Sequence, residues 1–264
     1  MGQEGQKLMH RSPTVRCSEG GAPSDLAVLD PSLRDPRVLS QLLDNEHSSQ
    51  PPLSSMECVP DLQVRIRSKV IDYMVHQVEF CENYVFTLAV NYLDRCIFSM
   101  TLSDDDDELY ALGGACLFLA NKLQATNPES AENLVMRTSD LFDKRQLLTM
   151  EKKVLISLEW KLSAITALDF VQQILHRLVI PSDDLSFVLN CAETCAMLSI
   201  TDLKFAIRRP SLIAAGSVYA TIMRMEWLKE TWPGITTALD KISTIINITP
   251  ECVRACQEEM DVFL

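Results

Sequence analysis

Three groups of residues in this sequence have the types that catalysis or metal binding needs. Nine cysteines include two i,i+4 pairs, Cys191/Cys195 and Cys252/Cys256, which together could offer four thiolates to zinc. No ligand-like turn accompanies them. Both pairs fall on apolar helical faces, and Cys81, Cys96 and Cys116 sit inside hydrophobic runs, so we read them as buried free thiols of a reducing compartment. Four consecutive aspartates at 104–107 have the charge for a divalent cation, but no further ligands are arranged around them. They read instead as a solvated cap on the positive end of the helix that follows. The histidines, His10, His47, His76 and His176, are scattered, with no nucleophile–base spacing and no glycine-rich phosphate loop nearby. The sequence therefore predicts no catalytic residues, no metal, no cofactor and no enzyme.

What remains is a chain built for packing. Hydrophobic residues make up 47% of the 264, aromatics only 6%, and glycine occurs 8 times, a profile that suits helices better than a β-sandwich. The net charge of -12 repels phosphate backbones and argues against nucleic acid as a partner. No apolar run is long enough for a membrane span, and Met1–Lys7 lacks the apolar core of a signal peptide. A nuclear and cytoplasmic location is the expectation.

The organising stretch is Glu108–Leu123, apolar on nearly every face from Ala111 to Ala120, as a buried helix is. Gly113 and Gly114 at its middle each cost about 1 kcal/mol against alanine in a helix. Close approach of neighbouring helices is the expected compensation. Residues 1–30 read as a disordered tail. A short amphipathic helix follows at Asp35–Glu46, capped by Asp35 with Pro36 in its first turn, and we expect it to lie outside the main body. It and a Ser/Pro linker fill 31–60. Helices are expected at Leu62–Phe80, Tyr84–Ser99, Ser130–Met136 and Asp143–Trp160 around the central one, completing a unit at 61–162. A second set spans 163–264: Asp169–Val179, Asp183–Phe205, Pro210–Met223, Thr236–Ile246 and Pro250–Phe263. Its Ile213–Val218 has the small-residue character of Leu112–Leu117, so two five-helix units repeat at whole-domain scale, in an all-α fold with no period-2 strands.

Particular segments then resemble the cyclin family. Ile71-Asp-Tyr-Met-Val75 is similar to its Asp-Trp-Leu-Val element, and Leu88-Ala-Val-Asn-Tyr-Leu-Asp-Arg95 to its first-box signature. Leu119-Ala-Asn-Lys-Leu123, Met150-Glu151 and Leu158-Glu-Trp-Lys-Leu162 fall where cyclins carry their Ala-Ser-Lys, Met-Glu and Leu-x-Trp motifs. Asp35–Leu39, Ile200–Phe205, Pro210–Val218 and Arg254–Glu258 resemble the D-type, G1/S-specific cyclins, and the similarity covers roughly 28–264.

The resemblance implies a cyclin fold of two tandem cyclin boxes. It also implies a regulatory subunit that binds and activates a cyclin-dependent kinase at the G1/S transition, promoting phosphorylation of retinoblastoma-family proteins. Kinase inhibitors and pocket proteins are further implied partners. In the family a lysine ending the central helix and a glutamate on the fifth helix grip the kinase's regulatory helix. These map to Lys122 and Glu151, with Leu123 beside them. Arg67 and Asp94 map to a structural pair. An apolar substrate-docking patch maps to Ile66, Val70, Tyr73 and Tyr110, where Lys69 departs from the pattern by adding charge. Val15, Cys17 and Glu19 form a degenerate Leu-x-Cys-x-Glu pocket-protein motif, on one side of an extended strand. D-type cyclins usually continue into an acidic tail with a phosphorylated threonine. This sequence stops at Leu264, which leaves that control absent or the chain truncated. Two other readings stay open: a kinase-binding cyclin-like protein that does not activate, and a cyclin-fold transcription factor, which would want a basic stripe.

Overall fold

The glycine-centred stretch is a helix of 19 residues, Asp106–Gln124 (α4), and every residue from Ala111 to Ala120 is buried. This is a computed structural model, and it describes residues 33, 35–50, 60–102, 105–138 and 141–263. The glycines are used as expected. A Cβ on Gly113 would lie 2.9 Å from both the Tyr73 ring and Val70, and one on Gly114 would lie 2.5 Å from Cζ of Phe142. The bare backbone is what lets these side chains pack against the hub.

Around α4 sit Asp61–Val75 (α2), Asn83–Ser99 (α3), Ala131–Arg137 (α5) and Lys144–Ser157 (α6), closing one core that includes Met74, Phe86, Tyr92, Leu112 and Leu147. A second core, with Phe170, Val188, Ala214, Ile242 and Val253, is closed by Ala167–Leu178 (α7), Ser182–Ser199 (α8), Leu203–Ala206 (α9), Pro210–Arg224 (α10), Glu226–Thr231 (α11), Ala238–Ile246 (α12) and Pro250–Phe263 (α13). Its hub is α10, which packs on α7, α8, α12 and α13. Gly216 faces Cys256 there, with Sγ 2.9 Å from where a Cβ would be. Among the described residues there is no strand, and no helix is long and apolar enough to cross a membrane.

Four expectations from sequence are corrected. The short N-terminal helix, Pro36–Asn45 (α1), does not lie outside the body. Leu39 is buried in the second core, and Arg177 donates to the carbonyls of Leu33 and Asp35 at 2.8 and 3.2 Å. The expected long helix to Phe205 stops at Ser199 and restarts as α9, capped by Asp202. α6 stops at Ser157 because Glu159 and Trp160 take left-handed backbone (φ 52° and 60°), and the next carbonyls accept from α3: Lys161 from Arg95 and Leu162 from Tyr92. Cys252, finally, is exposed rather than on an apolar face.

Candidate functional site

Lys122 stands in the last turn of α4, past the final buried residue, where a cation complements the helix's negative end. Glu151 lies on α6 in the stripe Leu147, Met150, Glu151, Val154 and Leu155, which packs inward. The two are bonded, ammonium to carboxylate, with side chains 39% and 11% exposed. The lysine also sits over the Phe118 ring, 4.4 Å from its centroid. A second ion pair, Lys153 to Glu108 at 3.1 Å, joins the same two helices. Residues 108 and 122 are 14 positions apart, about 21 Å of helix rise, yet their partners on α6 are two positions apart. So α6 lies across α4 rather than along it, with one pair on each side of the crossing. Next to Lys122, Leu123 is 52% exposed. The result is an edge where a half-open ammonium, anchored by a covered carboxylate, adjoins apolar surface. Such an edge offers charge-assisted hydrogen bonds and area to a partner. Trp160, the tryptophan of the Leu-x-Trp segment, is 70% exposed just beyond the end of α6. It stands in a left-handed turn, with φ 60°.

Arg67 and Asp94 meet in the interior, Nε to Oδ1 at 2.7 Å and Nη2 to Oδ2 at 3.2 Å. Arg67 also donates to the carbonyls of Thr201 at 2.7 Å and Ile200 at 2.8 Å, the end of α8. The pair thus ties the two helical units together, beyond the link inside one unit that its residues imply. The two carbonyls that Arg67 takes lie just past the end of α8, in the turn before α9.

The docking-patch residues separate. Ile66 and Val70 are core residues, 2% and 0% exposed. Tyr73 and Tyr110 are together, ring centroids 5.5 Å apart, at a groove of about 440 Å³ also lined by Lys69, His76, Arg137 and Leu141. Val15, Cys17 and Glu19 lie outside the described residues.

Two further polar clusters were not read from sequence. Glu46, fully buried at the foot of α1, accepts from Arg209 Nε at 2.7 Å, from the Ser211 backbone N–H at 3.0 Å and from its hydroxyl at 3.1 Å, so it caps the hub α10. Between the units, Tyr84 donates to Glu193 at 3.3 Å and Gln172 to Tyr84 at 2.7 Å. Burial pushes the Glu193 carboxyl above the usual range, and it does the same to Asp169 beneath the Thr166 cap.

Residues 37–163 match the family "Cyclin, N-terminal domain" and residues 165–264 match "Cyclin, C-terminal domain". The chain belongs to the cyclin family. It is 38% identical over 242 residues to G1/S-specific cyclin-D2 of Rattus norvegicus, covering 90% of this chain and 83% of that one. It is 36% identical over 252 residues to human G1/S-specific cyclin-D3, covering 94% and 85%. These similarities place it among the D-type cyclins. The fold is also that of a viral cyclin from herpesvirus saimiri, with a TM-score of 0.73 at 26% identity over 85% of this chain and 97% of that one.

Proposed function

We propose that this chain is the regulatory subunit of a cyclin-dependent serine/threonine kinase, that it binds and activates the kinase at the G1/S transition, and that the pair phosphorylates retinoblastoma-family proteins in nucleus and cytoplasm. It performs no chemistry itself. The edge made by Lys122, Glu151 and Leu123 receives the kinase's regulatory helix. Seating that helix completes the kinase's own Lys–Glu ion pair, on which phosphoryl transfer depends. The groove at Tyr73 and Tyr110 receives substrates.

One observation carries the reading. Glu151 is covered, and it holds a half-exposed Lys122 in place before any partner arrives. A fixed ammonium loses less freedom on binding than a free one, so the edge is pre-organised for an interface. Retention of both charges favours activation over silent binding. The test is a pull-down from cell extract, followed by a kinase assay on a retinoblastoma-type fragment. A co-purified kinase that phosphorylates the fragment is expected. Capture of a kinase that stays inactive would leave binding and remove activation.

A further inference from the structure

The second unit holds an aromatic pair in solvent. Phe187 on α8 and Trp227 on α11 are 56% and 39% exposed, with ring centroids 6.5 Å apart and planes inclined at 52°. Both rings stand on anchored backbone. Val188 and Ala192 bury the inner face of α8, and Met225, Leu228 and Trp232 pin α11 and its flanks into the second core. With those neighbours inward, helical phase turns Phe187 and Trp227 outward. Clustered apolar surface kept in water marks an interaction site, and tryptophan is favoured at the centre of one. The surroundings say what kind of partner fits. Asp184 precedes Phe187 by three positions on α8 and Glu230 follows Trp227 by three on α11, so each carboxylate neighbours its ring. Glu226 adjoins Trp227 and is exposed, as Glu230 is. Lys229 is the one basic residue of Glu226–Thr231. Of the three exposed phenylalanines, two are covered by the chain's own cations: Arg137 lies 4.7 Å from the Phe80 centroid and Lys204 lies 5.5 Å from that of Phe263. Among the described residues no cation lies over Phe187 or Trp227.

We propose that the Phe187–Trp227 pair docks a segment of a partner protein in which arginine stands between apolar side chains. The guanidinium lies on the ring faces, whose quadrupole attracts a cation. Asp184, Glu226 and Glu230 supply the opposing charge, and the apolar flanks of the segment cover the ring edges. An acidic segment is repelled by the same rim. All of these residues belong to α8 and α11, none to the edge assigned to the kinase, so the inference stands apart from that reading.

The test uses the full chain and two fluorescein-labelled peptides, Phe-Arg-Ile-Arg-Phe and its counterpart with neutral citrulline for both arginines. Fluorescence anisotropy is expected to show the arginine peptide binding about tenfold more tightly, the size of a desolvated cation–π contact. Trp227→Ala is expected to bring it down to the citrulline level, and Phe187→Ala, at the more exposed position, to weaken it about threefold; thermal melts confirm that each variant folds. Glu226→Gln with Glu230→Gln should weaken the arginine peptide and leave the citrulline peptide unchanged, with the difference shrinking at high salt. Equal binding of both peptides by the parent, or no binding of either, would overturn the proposal. So would parental binding by Trp227→Ala and Phe187→Ala, and a loss seen only in Tyr110→Ala would place the peptide in the other groove instead. A parent dimer in sedimentation that Trp227→Ala dissociates would give the surface to a second copy of this chain and overturn the basic partner.

Discussion

The two hub helices, α4 and α10, have the same design and opposite uses of their ends. Both are buried through the middle, with a glycine where a neighbour's side chain presses in. Both carry a cation in the last turn, Lys122 on α4 and Arg224 on α10. Around α10 the N-terminal end is closed by Glu46, which α1 brings in with it, so that end of the second unit is spent internally. At its other end, Arg224 meets Asp261 at 2.8 Å, with side chains 47% and 38% exposed: an open pair of little energetic weight. Around α4 the arrangement is reversed. Its N-terminal turn carries the chain's own acids, Asp106 and Glu108, paired with surface lysines, and its C-terminal end carries the half-covered Lys122–Glu151 pair. A repeated scaffold thus becomes an anchor in one copy and a presenting edge in the other.

The comparison can be broken or sharpened by substitution. The largest effect is expected where the units are joined. Asp94→Ala leaves Arg67 buried with half its partners, and a loss of about 3–5 kcal/mol in denaturant unfolding is expected. A stability equal to the parent would show that the buried Arg67–Asp94 pair carries no weight. Next is the internal anchor: Glu46→Ala strips the α10 cap and is expected to cost about 2–3 kcal/mol, leaving Arg209 and the Ser211 N–H without their shared acceptor. A smaller effect separates the hubs themselves. Gly114→Ala drives a methyl toward Phe142, which is 2% exposed and closely packed, and should cost about 1–2 kcal/mol net of the better helix propensity. Gly216→Ala meets the Cys256 sulfur at a longer distance and should cost less. The reverse order would contradict the packing account.

The smallest effect is electrostatic. Burial raises the Glu193 carboxyl in the folded state, so its contribution to stability is fully present below its unfolded pKa of about 4.3 and is lost as pH rises through the folded value. Glu193→Gln, which keeps an oxygen acceptor for Tyr84 and Gln172, is therefore expected to raise Tm at pH 7 by up to about 3 °C. The gain should fade as pH drops toward 4. A gain that grows toward low pH would reverse the sign.

Much of the fold was legible because it rests on short-range pattern. The small-residue hubs and the capped start at Asp35 are local signals, and the structure has both. The misreadings have long-range causes. The stripe Val38, Leu39, Leu42 and Leu43 showed that α1 must bury a face, but its partner lies more than a hundred residues onward. At the break after Ser199 the carbonyls that leave the helix are met by Arg67 from the other unit. At the candidate site, the sequence identified Lys122 and Glu151 through resemblance, and only coordinates show one holding the other. Ile66 and Val70 were assigned to a docking patch through resemblance alone; their helical spacing is that of a buried stripe, and they are core residues.

The most direct measurement is the affinity of a cyclin-dependent kinase for the parent chain, Lys122→Met and Arg224→Met. Lys122→Met is preferable to a glutamate there, which would set two carboxylates together at Glu151. Thermal melts of each variant guard against misfolding. Lys122→Met is expected to bind at least about tenfold more weakly, as loss of a charge-assisted contact would give, with Arg224→Met unchanged. Parental affinity in Lys122→Met, or a loss confined to Arg224→Met, would contradict the assignment of the α4 edge as the gripping surface.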